Sequence, residues 1–170
     1  DDMLESLEEL ATMLRETLGF VRDDAVQEPT RRIAIEMLLG ELTRRYGMLG
    51  HTLTLGKRAD VYLYCRPLAL KRALTNLIDN ALKHGGTAQV DVNVQAGMIV
   101  LEILDQGPGL PEAWLEKVFE PFVQLGHGNG GLGLGLAISR ACVQAHGGEL
   151  VLENRQPTGL CAVLELPQSL

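Results

Sequence analysis

Glycine and leucine alternate over residues 130–136, in the run Gly-Gly-Leu-Gly-Leu-Gly-Leu that leads directly into an apolar helical pattern. Glycine allows a backbone to pass close to a bulky anion, while each leucine can anchor the loop in a core. The helix that follows would direct its free N–H groups at whatever the loop holds. The run predicts a phosphate-binding loop, although glycine-rich stretches also form tight turns and flexible lids.

A stripe of polar residues lies on the strongest predicted helix, which begins at Pro67 and ends near His84. Asn76, Asn80 and then Lys83 or His84 follow at helical spacings, on a different face from the leucines. Asparagine is a poor helix former, so we expect a compensating role. An amide oxygen suits a hard cation such as Mg²⁺, and the NH₂ group can donate to a phosphate. The alternative is a pair of solvated surface asparagines.

The segment Asp105-Gln-Gly107-Pro-Gly109 follows a predicted strand. A carboxylate fixed at a strand end can accept a hydrogen bond from an exocyclic amine such as that of adenine. The two glycines would let a ring approach the backbone. Taken alone, the segment is equally consistent with a plain turn in which aspartate bonds to its own backbone.

Two of the three phenylalanines in the chain, Phe119 and Phe122, stand together in the run Val-Phe-Glu-Pro-Phe. They could hold the base of a glycine-rich lid over residues 123–131, or they could simply belong to the core. In chain order, the four segments form the parts of one ATP site: a polar helix stripe, an acidic loop, a lid base and a glycine loop before a helix.

Composition limits the class of protein. The 170 residues fit one domain, and 15 basic against 22 acidic residues give a net charge of −7. With no long basic run, we expect no nucleic-acid partner. No apolar run approaches the roughly 20 residues that cross a bilayer, and the start does not resemble a signal peptide. The three cysteines are expected to be reduced core thiols, and the histidines lack metal-ligand spacing.

A heptad pattern opens the chain, with Met3, Leu7, Leu10, Leu14 and Val21 in the seam. It predicts a helix over residues 1–24 whose apolar stripe packs on a partner helix, as in a dimer, or alternatively on its own domain. Residues 25–30 are interpreted as a linker because of the Asp-Asp and Glu-Pro breaks around them.

Residues 31–170 are predicted to form a two-layer α/β sandwich, a mixed sheet with helices on one face. Strands are expected over 32–36, 52–55, 61–64, 90–94, 98–104, 150–152 and 162–166, with helices over 37–46, 67–84, 112–118 and 134–146. Residues 52–55 and 61–64 are expected to pair with each other, and 90–94 with 98–104 as a hairpin around Ala96-Gly97.

The four segments together resemble sensor histidine kinases of two-component systems, over about residues 31–167. Asn76-Leu-Ile-Asp-Asn80-Ala-Leu-Lys-His84-Gly resembles their asparagine box, and Asp105 to Gly109 their first glycine box. Phe119-Glu-Pro-Phe122 resembles the phenylalanine box, and Gly131-Leu-Gly-Leu-Gly-Leu-Ala-Ile138 the second glycine box. The resemblance implies the Bergerat ATP-binding fold that histidine kinases share with gyrase, a chaperone family and MutL, preceded by one dimerisation-type helix.

The resemblance also implies roles for individual residues. Asn80 would bind Mg²⁺ that bridges the ATP phosphates, supported by Asn76, and Lys83 would help to neutralise phosphate charge. Asp105 would bind the adenine amine. The implied nucleotide site comprises Asn76, Asn80, Lys83, His84, Asp105, Gly107, Gly109, Phe119, Phe122, Gly131, Leu132, Gly133, Leu134, Gly135 and Leu136.

The sequence departs from the family pattern in two places. None of the four histidines has the setting of the family's phosphoacceptor, so neither that histidine nor its neighbouring base is expected among these residues. Gln124 stands where relatives often carry arginine, and the lid is short. The chain is therefore interpreted as a kinase fragment acting in trans. The rivals are an anti-sigma serine kinase or another ATPase of the superfamily, and a regulatory module that binds ATP without catalysis or whose intact parent acts mainly as a phosphatase.

The resemblance implies partners and a location for the parent protein. The dimerisation and phosphoacceptor helices of the parent kinase would receive the phosphate, and a response regulator would take it next. The parent would be a homodimer, anchored in the inner membrane, with this part of it in the cytoplasm.

Overall fold

A mixed five-stranded sheet forms the centre of the molecule in the computed structural model, which describes residues 2–123 and 133–169. Its order is β2-β4-β5-β7-β6, and a separate two-stranded sheet pairs β1 with β3. The elements are α1 (Asp2–Gln27), β1 (Arg31–Ala34), α2 (Ile35–Met48), β2 (Thr52–Leu55), β3 (Tyr62–Cys65), α3 (Pro67–Gly85), β4 (Thr87–Gln95), β5 (Met98–Leu104), the 3₁₀ turns Glu112–Trp114 and Lys117–Phe119, α4 (Gly135–Ala145), β6 (Glu149–Asn154) and β7 (Leu160–Pro167).

The predicted two-layer sandwich is confirmed. Alternate residues of the central strands, such as Leu101 on β5 and Leu164 on β7, are fully buried and lie opposite each other in the register. The apolar face of α3, including Leu74 and Ile78, covers this side of the sheet together with α4. Period-2 burial on the strands and period-3.6 burial on the helices therefore meet in one core.

The predicted hairpin is also confirmed, and β4 extends beyond both of its expected ends. Its two-residue turn places Ala96 at φ 48° and Gly97 at φ 78°. Positive φ at both central residues matches the right-handed twist of the flanking strands, which is why such turns close hairpins.

The predicted pairing of residues 52–55 with 61–64 is wrong. β2 runs parallel to β4, while β3 runs antiparallel to β1. The two residues after β2 remain hydrogen-bonded to β4. Gly56 N donates to Val90 O at 2.9 Å, and Lys57 N donates to the Asp91 carboxylate at 3.0 Å. Alternation shows that a strand is half-buried, but it does not identify the neighbouring strand.

Two expected helices differ from the structure, and so does the expected strand 32–36, whose residues Ile35 and Glu36 begin α2. α1 continues to Gln27, through Asp23 and Asp24 and into the stretch interpreted as a linker. Its last turns pack on α4, where Ala25 is buried, whereas Met3, Leu7 and Leu10 near its start are exposed. Residues 112–118 form separate 3₁₀ turns in place of a short α-helix.

All three cysteines are buried and free. Burial raises the pKa of the Cys65 thiol to about 11 and that of Cys161 to about 12, and it raises the pKa of Cys142 as well. They behave as small apolar core residues, since a buried thiol favours its neutral form.

Candidate functional site

A cavity of about 830 Å³ opens between α3, the loop after β5 and the start of α4. Its size suits a small-molecule ligand. Ten predicted site residues line it, namely Asn76, Asn80, Lys83, His84, Asp105, Gly109, Gly133, Leu134, Gly135 and Leu136. The apolar floor was not predicted and includes Ile103, Leu152 and Ala162 from the strands. A buried strand residue carries no sequence signal that distinguishes a pocket floor from ordinary core.

One wall of the cavity is the polar stripe of α3. Asn76 and Asn80 are half-buried and point away from the leucine face of the helix. The Asn76 amide donates weakly to Gly135 O at 3.4 Å, so it touches the first residue of α4. Lys83 and His84 continue the same wall from exposed positions.

Asp79 is a cavity residue that the sequence argument missed, although its place beside Asn80 could have revealed it. Its Oδ1 accepts a hydrogen bond of 2.7 Å from the hydroxyl of buried Tyr46 on α2. Burial, and then the bond to Asp79, raise the pKa of Tyr46, so the hydroxyl stays protonated and keeps donating. The bond therefore ties α2 to the polar stripe.

Two side chains of α3 that line the cavity carry oxygen atoms of the kind that bind a hard divalent cation. Asn80 has an amide oxygen and Asp79 a carboxylate, which are ligand types that Mg²⁺ accepts together with water and phosphate. Two protein oxygens are few for a self-sufficient metal site. The arrangement suits a cation that arrives with a phosphate ligand.

Asp105 stands at the far end of the cavity and is 5% exposed. Its Oδ1 accepts from Gly107 N at 2.9 Å and from Leu160 N at 3.0 Å. In the described part of the chain, Oδ2 has no hydrogen-bond partner, which leaves it as the acceptor for a ligand. Gly107 does not line the cavity. It packs against the end of α3, where a Cβ on residue 107 would come within 2.7 Å of His84 O.

The start of α4 presents backbone N–H groups to the cavity. Gly133 has φ 74°, Leu134 is the N-cap, and no side chain caps the helix among the described residues. Uncapped N–H groups and the helix dipole favour an anion at this end. Gly131 and Leu132, which belong to the same predicted loop, lie outside the described residues, and so does Gln124.

The two predicted lid-base phenylalanines have different environments, and neither lines the cavity. Phe119 is 5% exposed, and the Arg140 guanidinium lies 3.5 Å from its ring centroid. Arg140 also binds both carboxylate oxygens of Glu116, which holds the pKa of Glu116 below its usual range. Phe119 is thus a core residue, as the alternative interpretation allowed.

Phe122 is exposed and has an unusual φ of 67°. Its N–H donates to Gly133 O at 3.1 Å, which joins the two described flanks of residues 124–132. A left-handed bulky residue is strained, and such strain is common at ligand-binding sites. Phe122 therefore contacts the site through its backbone N–H, which bonds to the cavity residue Gly133, and its ring does not line the cavity.

The family model of histidine kinase-, DNA gyrase B-, and HSP90-like ATPases matches residues 65–170. Within the described residues, no helix is long and apolar enough to cross a membrane.

Sensor kinases are among the similar proteins. Sensor histidine kinase GtrS of Pseudomonas aeruginosa is 38% identical over 162 residues, which are 95% of this chain and 34% of GtrS. Sensor histidine kinase component HK1 of Mycobacterium tuberculosis is 32% identical over 136 residues, covering 78% of this chain and 81% of HK1. The chain therefore spans about a third of GtrS but most of HK1.

The solved ATP-binding domain of PrrB from Mycobacterium tuberculosis is similar in fold. It superposes with a TM-score of 0.69 and 29% identity, and the match covers 82% of this chain and 97% of the PrrB domain.

Proposed function

Because this chain belongs to the histidine kinase-, DNA gyrase B- and HSP90-like ATPase family and is the catalytic ATP-binding part of a sensor histidine kinase, we propose that it binds Mg²⁺-ATP in the cavity between α3 and α4. The observation that carries the proposal is the meeting of three recognition elements in one cavity. They are the Asp105 carboxylate, the Asn76–Asn80 stripe and the uncapped start of α4.

Adenine would lie at the Asp105 end. Oδ1 of Asp105 is occupied by two backbone N–H groups, so Oδ2 is the oxygen that would accept from the exocyclic amine. The apolar floor of Ile103, Leu152 and Ala162 would contact the ring. A base without an exocyclic amine would bind less tightly, because the buried Asp105 carboxylate would lose its hydration and gain no hydrogen bond in return.

The triphosphate would extend toward the start of α4. Asn80 and Asp79 would hold Mg²⁺, with Asn76 and Lys83 beside them. When bound, the cation would neutralise the charge that develops on the transferring phosphate. The N–H groups of Gly135 and the residues after it would stabilise the phosphate oxygens at the other side.

The phosphate acceptor would be a histidine on the dimerisation helices of the parent kinase, acting in trans, and a response regulator would receive the phosphate afterwards. Phosphoryl transfer depends on positioning and charge stabilisation, so a separate acceptor domain can supply the nucleophile. The dimeric parent would be anchored at the inner membrane, with this domain in the cytoplasm.

Autophosphorylation in trans tests the proposal. The chain is mixed with γ-labelled ATP, Mg²⁺ and a separately produced dimerisation domain, and acid-labile label on the acceptor is measured. We expect transfer with the wild-type chain and at least a tenfold loss in Asn80→Ala. Asn93→Ala, on β4 and outside the cavity, is the matched control and should transfer normally.

Nucleotide titration separates binding from transfer. Asp105→Asn should weaken ATP binding, because the amide offers a donor where the adenine amine needs an acceptor. ATP binding that is unaffected by Asp105→Asn would contradict the adenine assignment. Tight binding without transfer to a competent acceptor would instead support a module that binds ATP without catalysis.

A further inference from the structure

The β6–β7 hairpin contacts the loop that carries Asp105 at three successive points. At the start of the loop, Asp105 N donates to Leu160 O at 3.0 Å and the Arg155 guanidinium donates to Asp105 O at 2.6 Å. In the middle, the Thr158 hydroxyl donates to Gly107 O at 2.7 Å. The hairpin thus follows the loop along its length.

The last contact is made by Asn154, which uses both ends of its side-chain amide. Its Oδ1 accepts from Leu110 N at 2.8 Å, and its Nδ2 donates to Leu110 O at 2.6 Å. A two-point bond to a single residue fixes both position and orientation of that backbone. Leu110 lines the cavity, whereas Asn154 does not.

The hairpin and the 105–110 loop are closely packed, so that even a methyl group added between them would displace the loop. Gly109 has φ 73°, and a Cβ there would come within 2.6 Å of Asn154 Oδ1. A Cβ on Gly159 would come even closer to the carbonyl oxygen of Asp105. The loop therefore has little room to shift while the hairpin holds it.

We propose that Asn154, assisted by Thr158, is a positioning residue for adenine selectivity. By clamping the 105–110 loop at its end and middle, the two side chains fix the direction in which Oδ2 of Asp105 is offered to the exocyclic amine. Neither side chain lines the cavity. The inference rests on the proposed function, since it concerns how the ATP site chooses its base.

Two nucleotides test the proposal, namely ATP and purine riboside triphosphate, which lacks the exocyclic amine. Their dissociation constants are measured for the full chain by competition with a fluorescent nucleotide. In Asn154→Ala, we expect ATP affinity to fall about tenfold, since two hydrogen bonds that hold the loop are lost. Affinity for the purine analogue should change less than about twofold, so the preference for ATP shrinks.

Thr158→Val keeps the shape of the side chain and removes its bond to Gly107 O. It should reduce the preference in affinity for ATP over the analogue by a smaller factor than Asn154→Ala does. It provides the test if Asn154→Ala folds poorly. Asn93→Ala is again the matched asparagine control and should leave both affinities unchanged.

Equal losses for the two nucleotides would show a general structural defect and overturn the inference, as would unchanged ATP affinity in both variants. In either case a wild-type chain that binds ATP leaves the proposed function standing. A wild-type chain that binds neither nucleotide would overturn the proposed function and the inference together.

Discussion

Gly85, the last residue of α3, shows how a single residue sets the shape of the proposed ATP site. A Cβ on Gly85 would lie 2.8 Å from Asp105 Cβ and 2.9 Å from Gln106 N. The neighbouring atoms are backbone or short side chain, so they cannot move aside alone. The helix end and the acidic loop therefore touch only because residue 85 has no side chain.

Gly85→Ala should displace the Asp105 loop, which lowers both ATP affinity and the free energy of unfolding. The matched variant is Gly40→Ala in α2, where nothing lies within 4 Å of a Cβ. It should stabilise the chain by up to about 1 kcal/mol, because alanine favours a helix over glycine. Denaturant unfolding and nucleotide titration of both variants check this, and a Gly85→Ala protein as stable as wild type would contradict it.

Asn76, Asn80 and Asp105 were predictable as cavity residues because polar residues on an otherwise apolar helix or at a strand end are visible in short-range spacing. Asp79 was not predicted, and the role proposed for Asn154 could not be predicted from local spacing. The side-chain amide of Asn154 bonds to the backbone of Leu110, which lies 44 residues away in the sequence. Such contacts leave no local pattern.

At the scale of elements, three helices meet where α1 ends. The Glu28 carboxylate accepts from Leu68 N at 2.8 Å and Ala69 N at 3.0 Å, which caps the start of α3. The Arg66 guanidinium donates to Ala145 O at 2.7 Å at the end of α4 and to Val26 O at 3.2 Å at the end of α1. The capping carboxylate also lies favourably in the dipole of α3.

His146 completes this junction and requires the neutral imidazole. Its Nε2 accepts from Arg66 N at 2.9 Å, while Nδ1 lies 2.8 Å from Cys142 O and must donate to it. Desolvation lowers the pKa of His146 below 6.5. Between that lowered pKa and 6.5, the unfolded chain binds a proton that the folded chain does not, so stability must fall as pH decreases.

The free energy of unfolding should therefore decrease below pH 6.5, with a slope from this residue of at most about 1.4 kcal/mol per pH unit. His146→Gln, which keeps an acceptor near Arg66, should be less stable at pH 8 but should show a flatter profile. His51→Gln changes an exposed histidine and should follow the wild-type profile. Parallel profiles for wild type and His146→Gln, measured by urea unfolding from pH 5 to 8, would contradict the assignment.

Most element types were predictable from the sequence, apart from the 3₁₀ turns within 112–119, whereas the pairing of β2 and the end of α1 were not. The periodicity of residues 67–84 and the turn at 96–97 are local signals, and both predictions are confirmed. β2 pairs with β4, and the Asp91 carboxylate on β4 accepts from Lys57 N just after β2, a contact between distant residues that leaves no local pattern. α1 continues past the Asp-Asp break to Gln27, and Ala25 in its last turn is buried against the domain.

At the scale of the whole molecule, the two halves of α1 differ in how far they are buried. The last turns of α1 are built into the domain, whereas its first half exposes a row of large apolar side chains, including Met3 at 77%, Leu7 at 56% and Leu10 at 52%. A row of this kind is unfavourable in water unless another helix covers it. The heptad spacing favours a second copy of the same helix, which stays a prediction of a dimer.

The chain should therefore associate as its concentration rises, and the double change Leu7→Asp, Leu10→Asp should abolish association while leaving ATP affinity unchanged. Met37→Asp, which alters an equally exposed apolar residue on α2, should leave association intact. Sedimentation over a range of concentrations measures this. A wild-type chain that stays monomeric at high concentration would exclude the dimer for this length of chain.

The buried thiols have a practical consequence. Because Cys65, Cys142 and Cys161 are enclosed and hold their protons at neutral pH, alkylating reagents would meet almost no thiolate on the native surface. A single cysteine introduced on the exposed half of α1 would then be the one rapidly labelled position. The native chain is already suited to spectroscopic distance measurements between that helix and a nucleotide analogue, with no need to remove a cysteine from the core.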